Sequence, residues 1–185
     1  LNLAGGTLNV GSLGIDKGGA SGANSYYEVN LNSGTLGALD NWSSDADMTL
    51  GGPINIDTTG GNIGLSGDLS GAGSFTKIGT GTLTLSGSNT YGGDTTVSGG
   101  ILAMAAGSSL NAATIVRING TGQMSLDGSI DQTVEELWID GVQQYRSTWG
   151  STSSSARFKN DTYFAGSGII TVTSGPAPPT LFMFR

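Results

Sequence analysis

Residues 71–102 read GAGSFTKIGTGTLTLSGSNTYGGDTTVSGGIL, and this stretch decides the fold. Thr82-Leu83-Thr84-Leu85 alternates polar and apolar, Thr95-Thr96-Val97 is a second short strand pattern, and Ile101-Leu102-Ala103-Met104 follows Gly99-Gly100. In a strand every second side chain faces one side, so Leu83 and Leu85 share a face and the threonines take the other. Turns rich in Gly, Ser, Asn and Asp separate the pieces. Three such strands in about 25 residues leave no room for a crossover helix. The chain must coil or zigzag.

The same pattern runs outward in both directions. Leu1-Asn2-Leu3, Leu8-Asn9-Val10, Val29-Asn30-Leu31 and Ile54-Asn55-Ile56 each set an Asn between two apolar residues. The Asn is expected outside and its neighbours inside. Gly-Thr-Leu occurs at residues 6–8, 34–36 and 81–83, with Gly100-Ile101-Leu102 and Gly122-Gln123-Met124 as variants. The apolar residue of the pattern recurs at nearly even intervals, from Leu83 to Leu102 and from Leu102 to Met124. A strand rises about 3.3 Å per residue, so three short strands with turns fit a coil of roughly 20 residues. The wider gap from Leu8 to Leu36 implies a longer loop, placed at Asp16 to Ser25 (DKGGASGANS). Such repetition marks a solenoid. An antiparallel β-sandwich also shows many short strands. Asn119-Gly120 and Asp127-Gly128 are hairpin dipeptides, and they keep that alternative open for the C-terminal third.

The quoted stretch resembles the passenger-associated, or autotransporter-associated β-strand, repeat of bacterial autotransporters. The resemblance rests on Gly71, Gly73, Lys77, Gly79, Gly81, Leu83, Leu85, Gly87, Asn89, Tyr91, Gly93, Thr95, Val97, Gly100 and Leu102. It implies a right-handed, single-stranded parallel β-helix on the outside of a Gram-negative-type bacterium, secreted or held at the cell surface. Within the motif, Asn89 is expected to close a turn through backbone bonds, and Tyr91 to pack over the neighbouring coil. The paired glycines Gly79-Thr80-Gly81 read as turn residues and not as a phosphate cradle, because no helix start follows them.

Composition agrees with an all-β chain and removes several chemistries. Of 185 residues 33 are Gly, 11% are charged and 36% are hydrophobic. That is too little charge and too much apolar content for a disordered chain. Cys and His are both absent, which excludes disulfides, thiolate or imidazole metal sites and a Ser-His-Asp triad. No cofactor is expected. The net charge of −7 argues against nucleic acid as a partner and against anionic membranes. No run of about 18 apolar residues exists, so no membrane insertion by this segment is expected. The chain begins at Leu1 without a signal-like segment and is read as a fragment or processed product.

Residues 129–164 differ from the rest. They hold six of the thirteen aromatics (Trp138, Tyr145, Trp149, Phe158, Tyr163 and Phe164) and the cations Arg146, Arg157 and Lys159. A strand is expected over Val134 to Ile139 with Asp140-Gly141 as its tight turn, and a last strand over Gly166 to Thr173. Pro176, Pro178 and Pro179 then stop the ladder. The segment also resembles the stretch that closes such repeat proteins, although Ser147-Thr148-Trp149-Gly150 departs from its usual turn. Two readings compete for Trp138, Tyr145 and Trp149. They form a ligand-binding platform that stacks sugars, or they cover the open end of the solenoid. Under the second, Trp138 is expected to be buried and Trp149 more exposed.

The fourteen carboxylates lie mostly alone in turns, where Asp favours local backbone bonds. No catalytic residues are assigned. Asp45 and Asp47 form the tight Asp pair and are the weak candidate for a metal, with no calcium-loop pattern around them. The sequence therefore reads as β-helix coils over residues 1–128, an aromatic-rich cap and last strand over 129–174, and a Pro-rich tail over 175–185. The function expected is non-enzymatic, a structural stalk or passenger segment. The alternatives are an adhesin or glycan-binding module using the C-terminal aromatics, and a polysaccharide lyase or hydrolase on a β-helix. Expected partners are cell-surface glycans or host or neighbour-cell proteins, with end-to-end self-association at an uncovered strand edge.

Overall fold

The structure is a computed structural model that describes residues 1–16 and 27–179. The expected excursion at Asp16 to Ser25 and the tail beyond Pro179 therefore lie, except for Asp16, outside the described residues. Among the described residues every regular element is a strand. Strands one coil apart in sequence lie side by side and parallel. In the first sheet Ile54 pairs with Phe75, Phe75 with Thr95, Thr95 with Val116 and Val116 with Leu137. In the second, Trp42 pairs with Ile63, Ile63 with Leu83, Leu83 with Leu102 and Leu102 with Met124. Both ladders advance by nearly the same length of chain at every step. The chain passes through one strand of each sheet in turn and returns one strand further along.

The register follows from the side-chain pattern. Leu83 and Leu102, and Leu85 and Met104, face each other across adjacent strands and are buried, as expected. Slipping any strand by one residue would send its apolar row to water and its threonines inward. A third side of the coil is seen where Asn30–Ala38 bends. Its first residues pair with Met48–Leu50, which pairs with Leu69–Ser70, and its later ones pair with Ile54–Asp57. Gly34 makes the bend at a φ of 102°, and an added Cβ would sit 2.4 Å from the Gly6 carbonyl oxygen of the neighbouring strand. The Gly-Thr-Leu copies at residues 6–8 and 34–36 lie in register, Thr7 on Thr35 and Leu8 on Leu36. The apolar–Asn–apolar pattern places its apolar residues inward, apart from Leu1 at the chain start, which is exposed, and Leu8, which is half-buried.

The C-terminal third corrects two expectations. It is not an antiparallel sandwich, because Asp131–Val134 runs parallel to Ile169–Val172 and Gln123–Leu126 parallel to Phe164–Gly166. Antiparallel pairing occurs at Glu136–Ile139 with Val142–Gln143 and at Thr148–Gly150 with Ile169–Val172. The first is the hairpin expected at Asp140-Gly141, both at positive φ (46° and 76°) as a two-residue turn of this kind requires. Asn119-Gly120 and Asp127-Gly128 instead link strands of different sheets. The strand expected over Val134 to Ile139 is two strands, Asp131–Val134 and Glu136–Ile139, broken at Glu135. Glu135 is exposed and its amide bonds to the Thr114 carbonyl, so it forms a coil corner that alternation alone does not reveal. The last strand is Ile169–Val172.

Candidate functional site

The motif residues of the quoted stretch lie inside the coils. Lys77 falls in the core row that also holds Ile56, Val97 and Ile118. It has no exposed surface. Its aliphatic stem replaces the aliphatic side chain of the other coils. Its Nζ donates to the carbonyls of Ile78 at 3.0 Å, Gly79 at 3.0 Å and Gly99 at 2.9 Å, which ties its own coil to the next. Burial pushes its pKa down to about 8, opposed by the nearby Asp57 carboxylate. Asn89 does the same with an amide. Its Nδ2 donates to Gly87 O and Ser109 O, while its Oδ1 accepts the Leu69 amide at 3.1 Å. It therefore closes its turn, as expected, and also joins the coils on either side. Tyr91 packs edge-on against Phe75 of the preceding coil, ring centroids 5.5 Å apart, with its hydroxyl on Thr95 Oγ1. Burial raises its pKa. Gln132 repeats the amide bridge further along, accepting the Leu110 amide and donating to the Leu110 carbonyl. Sequence reasoning missed it because its partner belongs to the preceding coil, far from it along the chain.

The three aromatics singled out in the C-terminal segment separate into two places. Trp138 stands on the outer face of the first sheet, in register with Arg117 and Gln143. It is half-buried, its Nε1 donates to Glu136 Oε2 at 2.6 Å, and the Arg117 guanidinium lies 5.5 Å from its ring. Arg117 also pairs with Asp94 at 2.9 Å. Trp149 is the buried one, with 7% of its surface exposed. This reverses the expectation for the two tryptophans. The cause is phase: Trp138 sits between Leu137 and Ile139, which take the inward positions, whereas Trp149 lies inward on Thr148–Gly150.

Trp149 and Tyr145 meet through Phe158. Trp149 stacks on Phe158 at 4.7 Å and 20°, and Tyr145 lies 5.5 Å from the same ring. Trp149 Nε1 donates to the Tyr145 carbonyl at 2.9 Å, which fixes the Tyr145 backbone. The Arg157 guanidinium is 5.4 Å from the Phe158 ring. Tyr145 keeps 37% of its surface exposed and Val142 63%. Phe158 and Arg157 were not singled out as site residues. The available signal was charge, since residues 141–160 contain Arg146, Arg157 and Lys159 but no Asp or Glu.

The carboxylates are held singly. Asp47 Oδ1 accepts the Asp68 amide at 2.9 Å, and Asp68 Oδ1 accepts the Ser88 amide at 2.7 Å, so these side chains link successive coils like rungs. Among the described residues no three His, Cys, Asp or Glu side chains gather as a metal site, and this includes Asp45 and Asp47. One shallow concavity is lined by Asp16 and Asp45 with Leu13, Ile15 and three serines, and by no Lys or Arg. Asp140 accepts from the Tyr163 hydroxyl and the Gly120 amide, which lowers its pKa and raises that of Tyr163. No helix among the described residues is long and apolar enough to cross a membrane.

Comparison with known proteins places this geometry. The passenger-associated-transport-repeat family matches residues 75–104. Over 134 residues, 70% of this chain, the sequence is 34% identical to the adhesin BmaC autotransporter of Brucella suis biovar 1 (strain 1330), of which the match covers 4%. Over 65 residues, 35% of this chain, it is 45% identical to an extracellular serine protease of Serratia marcescens, of which the match covers 6%. The chain thus spans a small part of the length of either relative. No solved structure matches. Residues 75–104, where Lys77, Asn89 and Tyr91 tie the coils together, are therefore a passenger-associated-transport repeat, and the chain is a repeat-bearing segment similar to part of an autotransporter adhesin.

Proposed function

We propose that this chain is a non-enzymatic structural segment of a secreted or surface-attached bacterial protein, a stalk or passenger piece built as a right-handed single-stranded β-helix. The observation that carries the reading is the register. Successive strands of both sheets advance by one coil and stack one buried row upon the next. Each coil then contacts its neighbours, so length is gained by repetition and stiffness by the continuous core. Residues 1–128 are the coils, 129–174 the cap with the last strand, and 175–185 the tail. The antiparallel hairpin at Glu136–Gln143 supports the cap, because so short an edge strand offers little template for another chain. Both relatives carry names that fit a surface or secreted bacterial location, and the Brucella relative is named an adhesin.

The serine protease similarity does not bring a triad to this segment, which holds no His. The dispersed carboxylates likewise favour a structural role over a lyase or hydrolase. The test is a product assay on pectin, alginate and xylan with the purified chain. No reducing ends and no unsaturated sugars are expected. Reproducible turnover that disappears on changing a single named Asp would overturn the reading.

A further inference from the structure

We propose that the C-terminal face around Tyr145, Phe158 and Arg157 binds an anionic glycan. The first ground is charge. Fourteen carboxylates give the chain a net charge of −7, yet residues 141–160 carry three cations and no carboxylate. Among the described residues the ion pair is Arg117–Asp94, far along the coils in sequence, and Arg146 and Arg157 are exposed without a carboxylate partner. Arg157 uses one Nη2 donor on the Pro179 carbonyl at 3.3 Å and keeps the rest of its fork. That fork matches the two oxygens of a carboxylate or sulfate. Lys159 is engaged elsewhere, with Nζ on the Thr152 carbonyl and the Asp161 carboxylate nearby.

The second ground is shape. Trp149 backs Phe158 and anchors the Tyr145 carbonyl, so the exposed Tyr145 ring and the Arg157 guanidinium are both held against one fixed aromatic ring. A flat ring beside a cation fits a sugar, whose C–H face stacks on the ring while its acidic group meets the guanidinium. Gln144, next to Tyr145 in sequence and half-buried, keeps one amide hydrogen for a hydroxyl beside its bond to the Val142 carbonyl. The net negative charge disfavours an extended anionic surface such as a bilayer, which meets the whole molecule, whereas a glycan strand can touch this face alone. The proposal uses the cap surface and stands apart from the stacking role of the coils.

Calorimetric titration of the full chain tests it, with polygalacturonate and heparin oligosaccharides as probes, and neutral dextran, oligothymidylate and phosphatidylglycerol vesicles as the other arms. Binding of one or both acidic glycans is expected, with the carboxylate and sulfate probes distinguishing which acid is preferred. Raising the ionic strength from about 0.01 to about 0.15 M should weaken it. The double variant Arg146→Glu with Arg157→Glu should lose roughly tenfold or more in affinity at an unchanged melting temperature. Tyr145→Ala should also weaken binding. Should the double variant misfold, Arg157→Gln reads the same loss with one charge removed. Absence of acidic-glycan binding at low ionic strength, equal binding of dextran, preference for the nucleotide or the vesicles, or unchanged affinity in the folded variants would each overturn the proposal.

Discussion

At the residue scale, Lys77 is the instructive case. Its position in the core row is that of an aliphatic residue, and its charge is tolerated because three carbonyls receive it. Lys77→Met keeps the volume and removes the donors. The Gly99 carbonyl then loses its buried partner, and a loss of about 1–3 kcal/mol in chemical denaturation is expected. The pH dependence separates this from simple repacking. The folded Lys77 pKa is about 8 against an ordinary 10.5. Between those values the unfolded chain holds a proton that the folded chain has released, so this group makes stability rise with pH across the window and contributes no slope below about pH 8. Tyr91 acts oppositely above its ordinary 10.0, since its folded pKa is raised. Stability should therefore climb from about pH 8 to about pH 10, and the climb should vanish in Lys77→Met. A parent protein with no such climb would contradict the burial argument.

At the element scale, the turns and the C-terminal aromatic residues differ in what a substitution removes. Gly141 closes the hairpin at a φ of 76° with open space around it. Gly141→Ala costs only the left-handed backbone, about 1–2 kcal/mol. Gly79 has a φ of 80°, but a Cβ there would lie 2.4 Å from the Thr59 amide nitrogen of the neighbouring coil. Gly79→Ala should cost clearly more in the same melting experiment, and equal losses would show that inter-coil crowding is relieved cheaply. In the C-terminal segment, Trp149→Ala removes a buried ring and its bond to Tyr145, so about 3–5 kcal/mol is expected. Trp138→Ala loses an outer-face ring and a cation–π contact of about 0.5–1 kcal/mol. The reverse order would mean that the hairpin face, not the Trp149–Phe158 stack, holds the C-terminal segment in place. Alternation showed that Glu136–Ile139 is a strand. It did not show which of its faces is inward, because the corner at Glu135 resets the phase.

At the scale of the whole molecule, the coils share one core. Leu83 lies between Ile63 and Leu102 in its row and has no exposed surface. An aspartate there would place an unpaired charge between two coils at a cost of several kcal/mol. In a stack where each coil is stabilised by its neighbours, a break in the middle removes support from both sides. Leu83→Asp should therefore fail to give a folded protein by circular dichroism and size exclusion. A soluble variant that melts like the parent would refute a continuous core.

The sequence by itself determined the strands Thr82–Leu85, Thr95–Val97 and Ile101–Met104, the shared face of Leu83 and Leu85, the length of a coil and the hairpin turn at Asp140-Gly141, but not the strand Phe75–Ile78 that carries Lys77 inward. All of these are local: alternation, turn residues and spacing act within one coil and are written along the chain. It also determined what is missing, since no arrangement of this chain can supply a His or a Cys. Only the tertiary structure decided the partners of Lys77, Asn89 and Gln132, the exchange of roles between Trp138 and Trp149, and the meeting of Tyr145 and Arg157 at Phe158. Many of these contacts join residues of different coils or different strands, across turns whose geometry sets which side chains converge. Spacing fixes how far the chain travels per coil, but corner geometry fixes which face a side chain presents on arrival, and that is settled only when the coils pack.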